Sequence, residues 1–251
     1  MQHWLRLGLL GTDLFYSIGV LIVALYRAAK FALWAVFFLL GALVVLAGVY
    51  RFMAPTLTLT MLERQISGEE IRKDWVSLEA VSPHLLDAVI AAEDTKFCNH
   101  NGIDVESVQQ ALADAENGKG LRGASTISQQ TAKNVFLFNG GGWVRKGVEA
   151  GMTIVIETFW SKKRIMEVYL NVAEWGDGIF GAEAAAQVRF GKSARALTKG
   201  EAALLASVLP NPHKWRVDPP GAYVRKRSRI IGTRMRQIKR DGLSTCVFDE
   251  E

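Results

Sequence analysis

The chain has 251 residues, with 30 Lys and Arg against 25 Asp and Glu for a formal net charge of +5, and 49% of it is hydrophobic. That length holds one domain of ordinary size plus an anchor, so a single active site is sought. Two cysteines, Cys98 and Cys246, are too few for a disulfide scaffold or a zinc ribbon; one bridge between them is open in an oxidising compartment, and sequence gives no geometry for it.

Residues 31–50 form an uncharged run that as a helix rises about 30 Å, the thickness of the bilayer hydrocarbon. Its length and late start indicate a retained transmembrane anchor, not a cleaved signal peptide. Arg27 and Lys30 precede it and Arg51 follows, so the basic bias puts the N-terminal flank in the cytoplasm and the main domain outside. An earlier apolar stretch, residues 7–26, is interrupted by Gly11, Thr12 and Asp13. It reads as an interfacial helix, a second span or a plain extension.

Past the anchor, 57–65 alternates weakly and reads as extended, and 75–82 reads as a connector ending at Pro83. Helical spacing or composition then marks 85–97, 105–115, 126–136, 143–160, 162–171, 180–190, 199–209 and 223–240. No alternating strand series competes, so a mostly α domain is expected. The expected organisation is a cytoplasmic or interfacial extension (1–30), a transmembrane anchor (31–54), a connector (55–82), the globular domain (83–242) and a tail (243–251).

Within 85–97, Glu93 shares a helix face with Leu86, Val89, Ile90 and Phe97. Desolvation there would raise its pKa toward the range of a general base; a structural Glu paired with a buried cation is the alternative. The run 122–134 reads as a glycine-containing loop opening a helix, with Thr126 and Gln129 at capping-box spacing. Lys133 lies one turn beyond Gln129, so loop, helix end and ammonium together suit a phosphate or pyrophosphate, although capped helices are common. Arg145 and Lys146 stand four and three residues before Glu149. That is the spacing of an ordinary surface ion pair, or of cations gathered for an anionic leaving group. Residues 222–240 hold Arg225, Lys226, Arg227, Arg229, Arg234, Arg236, Lys239 and Arg240 and no acid. The stretch suits an anionic lipid surface or a nucleic acid; alternatively Val224, Ile231, Met235 and Ile238 are the packed stripe of a helix whose cations solvate its other face.

Five blocks, taken together, carry a resemblance: Glu93-Asp-Thr-Lys-Phe-Cys-Asn-His100-Asn-Gly102; Gly123-Ala-Ser-Thr-Ile-Ser-Gln-Gln-Thr-Ala-Lys133-Asn134; Arg145-Lys146-Gly-Val-Glu149; Lys163-Arg-Ile-Met-Glu167-Val-Tyr-Leu-Asn171; and Gly181-Ala-Glu-Ala-Ala-Ala186 leading to Phe190-Gly191-Lys192. In this order, across about residues 75–240, they resemble glycosyltransferase family 51, the peptidoglycan polymerases, and most closely its monofunctional biosynthetic transglycosylases. The resemblance implies an α-rich, lysozyme-like fold with a membrane-facing small lobe. It implies that Glu93 removes the proton from the acceptor sugar's 4-hydroxyl as that oxygen attacks the donor's anomeric carbon. The product would be a β-1,4 glycan strand formed with inversion and loss of undecaprenyl pyrophosphate.

By the same resemblance, Lys133 neutralises the departing pyrophosphate, helped by Arg145 and the segment from Ser125 to Gln130. Glu149 is then the second essential acid, organising those cations or a divalent ion, Mg or Mn. Asp94, Phe97, His100, Ser125, Thr126, Gln129, Gln130, Lys133, Asn134, Arg145 and Lys146 are expected to bind substrate, with no protein metal site and no other cofactor. The implied partners are lipid II, the growing glycan strand, the membrane and proteins of division or wall synthesis, with no nucleic acid. The implied location is a bacterial plasma membrane, crossed once, with the domain on its outer face. Eleven residues after Arg240 leave no room for a transpeptidase. Three features depart from the family pattern: Gly140-Gly-Gly-Trp143 stands where relatives carry a phosphate-binding arginine, Phe180 and Arg189 replace an arginine and a tyrosine, and the N-terminal extension has no family counterpart. A lysozyme-like hydrolase or lytic transglycosylase would have no use for the cations Lys133, Arg145 and Lys146. A silent precursor-binding scaffold would have no use for both Glu93 and Glu149.

Overall fold

The computed structural model describes residues 2–118, 123 and 125–248. It opens with one apolar helix, α1 (Gln2–Tyr50). The interruption expected at Gly11, Thr12 and Asp13 is absent: a lone glycine costs a helix about 1 kcal/mol and no proline stands there to break it. Residues 7–26 are therefore continuous with the anchor and not a separate helix. Gly19–Tyr50 is long and apolar enough to cross a membrane. The chain divides into two compact units, Met1–Leu46 and Ala47–Glu251.

In the second unit, side chains of the domain donate to carbonyls at and just past the end of α1. Trp160 Nε1 donates to Ala47 O (2.8 Å), and Arg164 donates to Tyr50 O (2.9 and 3.1 Å) and to Met53 O (2.6 Å). The segment expected to be extended at 57–65 instead forms α2 (Leu59–Ile66), since Thr58 caps it by accepting from Met61 N (3.3 Å). Met61 is fully buried and Thr60 Oγ1 donates to Asn134 O (3.3 Å), so this stretch belongs to the domain and is no mere connector. A weak alternation over so few residues does not separate strand from helix.

A small sheet, not anticipated, has the order β1-β3-β2: β1 (Arg72–Lys73) runs parallel to β3 (Ile179–Phe180), which pairs antiparallel with β2 (Glu174–Gly176). Phe180 thus lies in a strand, and α8 (Ala182–Phe190) begins after it. The turn requires glycine: at Gly178 (φ +67) a Cβ would meet Glu70 O at 2.2 Å.

The remaining helices are α3 (Pro83–Glu93), α4 (Val105–Glu116), α5 (Ile127–Phe136), α6 (Gly142–Phe159), α7 (Lys162–Val172), α9 (Lys199–Val208) and α10 (Ala222–Arg240). Each starts or stops within a few residues of its expected bounds. The largest difference is at α3, which ends at Glu93 because Asp94 leaves helical geometry (φ −161). Phe97 therefore sits in a 3-10 turn (Phe97–Asn99) and not on the face of α3. The core forms where α3, α9 and α10 pack on one another and α5 packs on α6 and α7, with Leu85, Ile90, Ile127, Ile156, Ile165 and Trp175 buried.

After α10, Gly242 (φ +63) reverses the chain, Ser244 Oγ donates to Asp87 Oδ1 (2.9 Å) and Val247 is buried. Ser244 and Val247 thus anchor 243–248 on the domain, and 249–251 of the expected tail lie outside the described residues. Cys246 forms a disulfide with Cys98, closing a separation of 148 residues and pinning the turn after Glu93 to the C-terminal segment. Long loops lose the most unfolded-state entropy on closure, so replacing both cysteines by serine should lower unfolding free energy by about 2–4 kcal/mol. Denaturant titration checks this, and an unchanged midpoint would refute it.

Candidate active site

Glu93 is the last residue of α3 and its side chain is one-tenth exposed. Each carboxylate oxygen has one protein donor: Gln130 Nε2 reaches Oε2 (3.0 Å) and Arg227 Nη2 reaches Oε1 (3.3 Å). Gln130 is held in turn by Tyr169, whose hydroxyl donates to Gln130 Oε1 (3.2 Å). Burial raises the pKa of Glu93, and the Gln130 and Arg227 contacts oppose that rise. The structure thus merges the two sequence readings: the carboxylate is desolvated, and it is also paired with a cation.

Asp94 and His100 brace this arrangement from inside. Asp94 Oδ2 accepts from Ile127 N (3.0 Å) at the start of α5 and from His100 Nε2 (3.0 Å), while Gly102 N donates to His100 Nδ1 (3.1 Å). Thr126 and Gln129 form the expected capping box, and the Thr126 hydroxyl also donates to Gly102 O. Gly102 (φ +91) is required here, since a Cβ would meet Thr153 Cγ2 at 2.7 Å. Phe97 is fully buried beneath Lys162, whose Nζ lies 4.7 Å from the ring centroid. Phe97 is thus packed in the core and Gln129 is engaged in the cap, while Thr126 caps α5 and also lines a cavity with Glu93.

Lys133 and Gln130 line a cavity of about 290 Å³ whose other walls include Asn134, Asn139, Arg64, Glu174 and His213. Burial lowers the pKa of Lys133, the charge of Glu149 opposes this, and Arg145 and Lys146 lower it further. Glu149 itself is buried on α6, bonded by Arg145 Nη1 (2.8 Å) and by Lys146 Nζ. Lys146 also reaches Ser125 Oγ (3.4 Å), on the rim of a smaller cavity of about 110 Å³ that contains Glu93, Asp94 and Thr126. The Gly140 to Gly142 loop has positive φ throughout and folds back so that Arg145 Nε donates to Gly140 O. Of the loop expected before α5, residues 119–122 and 124 lie outside the described residues.

Gln130 bonds the desolvated Glu93 carboxylate and also lines the cavity that holds Lys133. For a divalent ion the donors are poor: the oxygens of Glu149 are already held by two cations, and among the described residues no three His, Cys, Asp or Glu cluster as ligands. A base must be ionised and a phosphate-binding lysine protonated. Activity should therefore fall as pH drops through the Glu93 value, above its ordinary 4.5, and fall again as pH rises through the Lys133 value, below its ordinary 10.5. A pH profile of kcat/KM with its acid limb at or below 4.5 would contradict this.

Arg227 and Tyr169 are site residues outside the expected set, and of the two Arg227 carries a sequence signal. Arg227 stands three residues after Val224 and four before Ile231, in line with the buried stripe of α10, and a half-buried cation there calls for an acid partner. Arg64, Glu174 and His213 had no local signal, since three distant segments meet there.

The chain matches the transglycosylase family over residues 60–236. It is 51% identical over 222 residues to a biosynthetic peptidoglycan transglycosylase of Caulobacter vibrioides, covering 88% of this chain and 97% of that protein. It is 53% identical over 208 residues to one of Rhodospirillum centenum, covering 82% and 90%. With that of Pseudomonas aeruginosa it shares 48% over 221 residues, covering 86% and 94%. With a match spanning the domain that holds Glu93, Gln130 and Arg227, the chain belongs to the transglycosylase family.

Proposed function

We propose that this protein is a peptidoglycan glycosyltransferase that polymerises lipid-linked disaccharide-peptide units into β-1,4 glycan strands on the outer face of a plasma membrane. The observation that carries the reading is a nearly buried carboxylate, Glu93, whose partner Gln130 lines the same cavity as the cation Lys133. In the proposed step the Glu93 carboxylate takes the proton of the acceptor 4-hydroxyl while that oxygen bonds to the donor's anomeric carbon. The bond from that carbon to the diphosphate breaks on the opposite side, giving inversion, and its electron pair leaves with undecaprenyl pyrophosphate. Lys133, with Arg145 and Lys146 beside it, offsets the added negative charge on the diphosphate in a partly dry cavity, where such charges act strongly.

Gln130 and Arg227 hold the two Glu93 oxygens in place, so the base does not reorganise as it accepts the proton. Glu149 holds Arg145 and Lys146 side by side despite their repulsion. The apolar Gly19–Tyr50 segment fits a lipid-carried substrate, and Arg27 and Lys30 before its centre favour an N-terminus in the cytoplasm. To test the reading, the solubilised protein is given labelled lipid-linked disaccharide-pentapeptide and, separately, preformed uncrosslinked glycan. The first should become polymer that a muramidase digests, and the second should stay intact. Cleavage of preformed glycan with no polymer made would overturn the proposal in favour of a hydrolase.

A further inference from the structure

The helix that delivers Arg227 to Glu93 carries far more positive charge than that contact uses. Over the 19 residues of α10 there is no acid, and Arg225 with Arg229, and Arg236 with Arg240, repeat like charges at a spacing that weakens a helix. Among the described residues, α10 makes ion pairs only through Arg227 with Glu93 and Arg240 with Asp241. Arg225, Arg229 and Arg236 donate to carbonyls of their own helix or its lead-in. Among the described residues Glu93, Asp241 and Asp87 offset part of this charge, and Arg225, Arg229 and Arg236 form no ion pair, which favours an anion outside the domain.

The charge is also shaped. The C-terminal half of α10 meets the N-terminal turns of α3 and α9 around a cavity of about 320 Å³, lined by His84, Lys199, Arg236, Lys239 and Arg240 with Asp87 as its one carboxylate. Asp87 is occupied by the Ser244 hydroxyl. From Arg227 at Glu93 to Lys239 at this cavity is twelve residues of helix, about 18 Å. A strand elongated at Glu93 can therefore run along the cations.

We propose that the exposed face of α10, with His84 and Lys199, is a docking track for the acidic peptides borne by the glycan strand; this rests on the glycan-polymerising reading above. A peptide joined to a sugar through its N-terminus has lost its ammonium and keeps its terminal carboxylate, so every repeat presents negative charge. Carboxylates spaced along a polymer match cations spaced along a helix, whereas the diphosphate is needed at the reaction centre beside Lys133. Holding the strand raises its effective concentration at the site between additions.

The test compares the wild type with Lys199→Glu/Lys239→Glu, neither residue being part of the catalytic group, on lipid-linked disaccharide-pentapeptide at low salt. Formation of the first glycosidic bond should be unchanged and the median product about threefold shorter, the scale expected for weakening two exposed ion contacts. High salt should shorten the wild-type product likewise. The milder Lys199→Gln/Lys239→Gln should shift length in the same direction, and substrate without peptide should give equal lengths from all three proteins. Equal lengths on the peptide-bearing substrate would overturn the proposal. So would wild-type binding to phosphatidylglycerol vesicles that the charge reversal abolishes while lengths stay equal, which would assign the face to lipid. If the wild type makes no polymer at all, the underlying reading fails and this inference fails with it.

Discussion

Glu93→Gln should lose about 10²- to 10⁴-fold in turnover, the span general-base catalysis supplies, while melting no lower than the wild type at neutral pH. The amide keeps the shape of the carboxylate and its oxygen still accepts from one of Gln130 and Arg227, so the change costs one hydrogen bond and no rearrangement of the backbone. The stability half of the expectation follows from the direction of the shift. Burial raises the Glu93 pKa, so the ionised form opposes folding at pH values above the folded pKa. That cost vanishes below the unfolded value, near the ordinary 4.5. An uncharged amide never incurs it. A folded variant that turns over normally would remove Glu93 from the role of base.

Lys133→Ala should lower kcat by about 10²- to 10³-fold, the loss typical of removing one preorganised charge or donor from a developing anion. The effect should fall more on kcat than on KM, because the diphosphate gains charge as its bond to the sugar breaks. Lys133→Arg should recover part of the rate, since the charge returns on a wider and differently shaped group. Folding should be little affected: burial already lowers the Lys133 pKa, which means that the charged amine is held there at a cost. Steady-state kinetics with thermal melts on the same samples separate these effects. A purely raised KM would make Lys133 a substrate-binding group with no special part in bond cleavage.

What could be read from the sequence was local. The Thr126 and Gln129 cap depends on residues three apart, and the structure has it as expected. Glu93, Lys133 and the Arg145, Lys146 and Glu149 group were visible for the same reason, as charges placed by helical spacing on otherwise ordinary helices. The end of α3 is not legible in the sequence, because Asp94 looks like one more helical residue until its bond to Ile127 N, 33 positions away, is known. Phe97 shows the related error: its spacing from Glu93 suggested a shared face, but once the helix stops the ring turns into the core. The small sheet has strands of two or three residues, too short to establish a period. The disulfide joins residues 148 apart, and only the fold brings them together.

The most direct test of the account is the size-resolved product of the folded, detergent-solubilised wild type beside that of Glu93→Gln on one labelled lipid-linked disaccharide-pentapeptide. A ladder of polymer from the wild type and none from the variant is the result predicted. Polymer of equal amount from both, or none from a folded wild type, would contradict the claim that Glu93 drives glycan polymerisation.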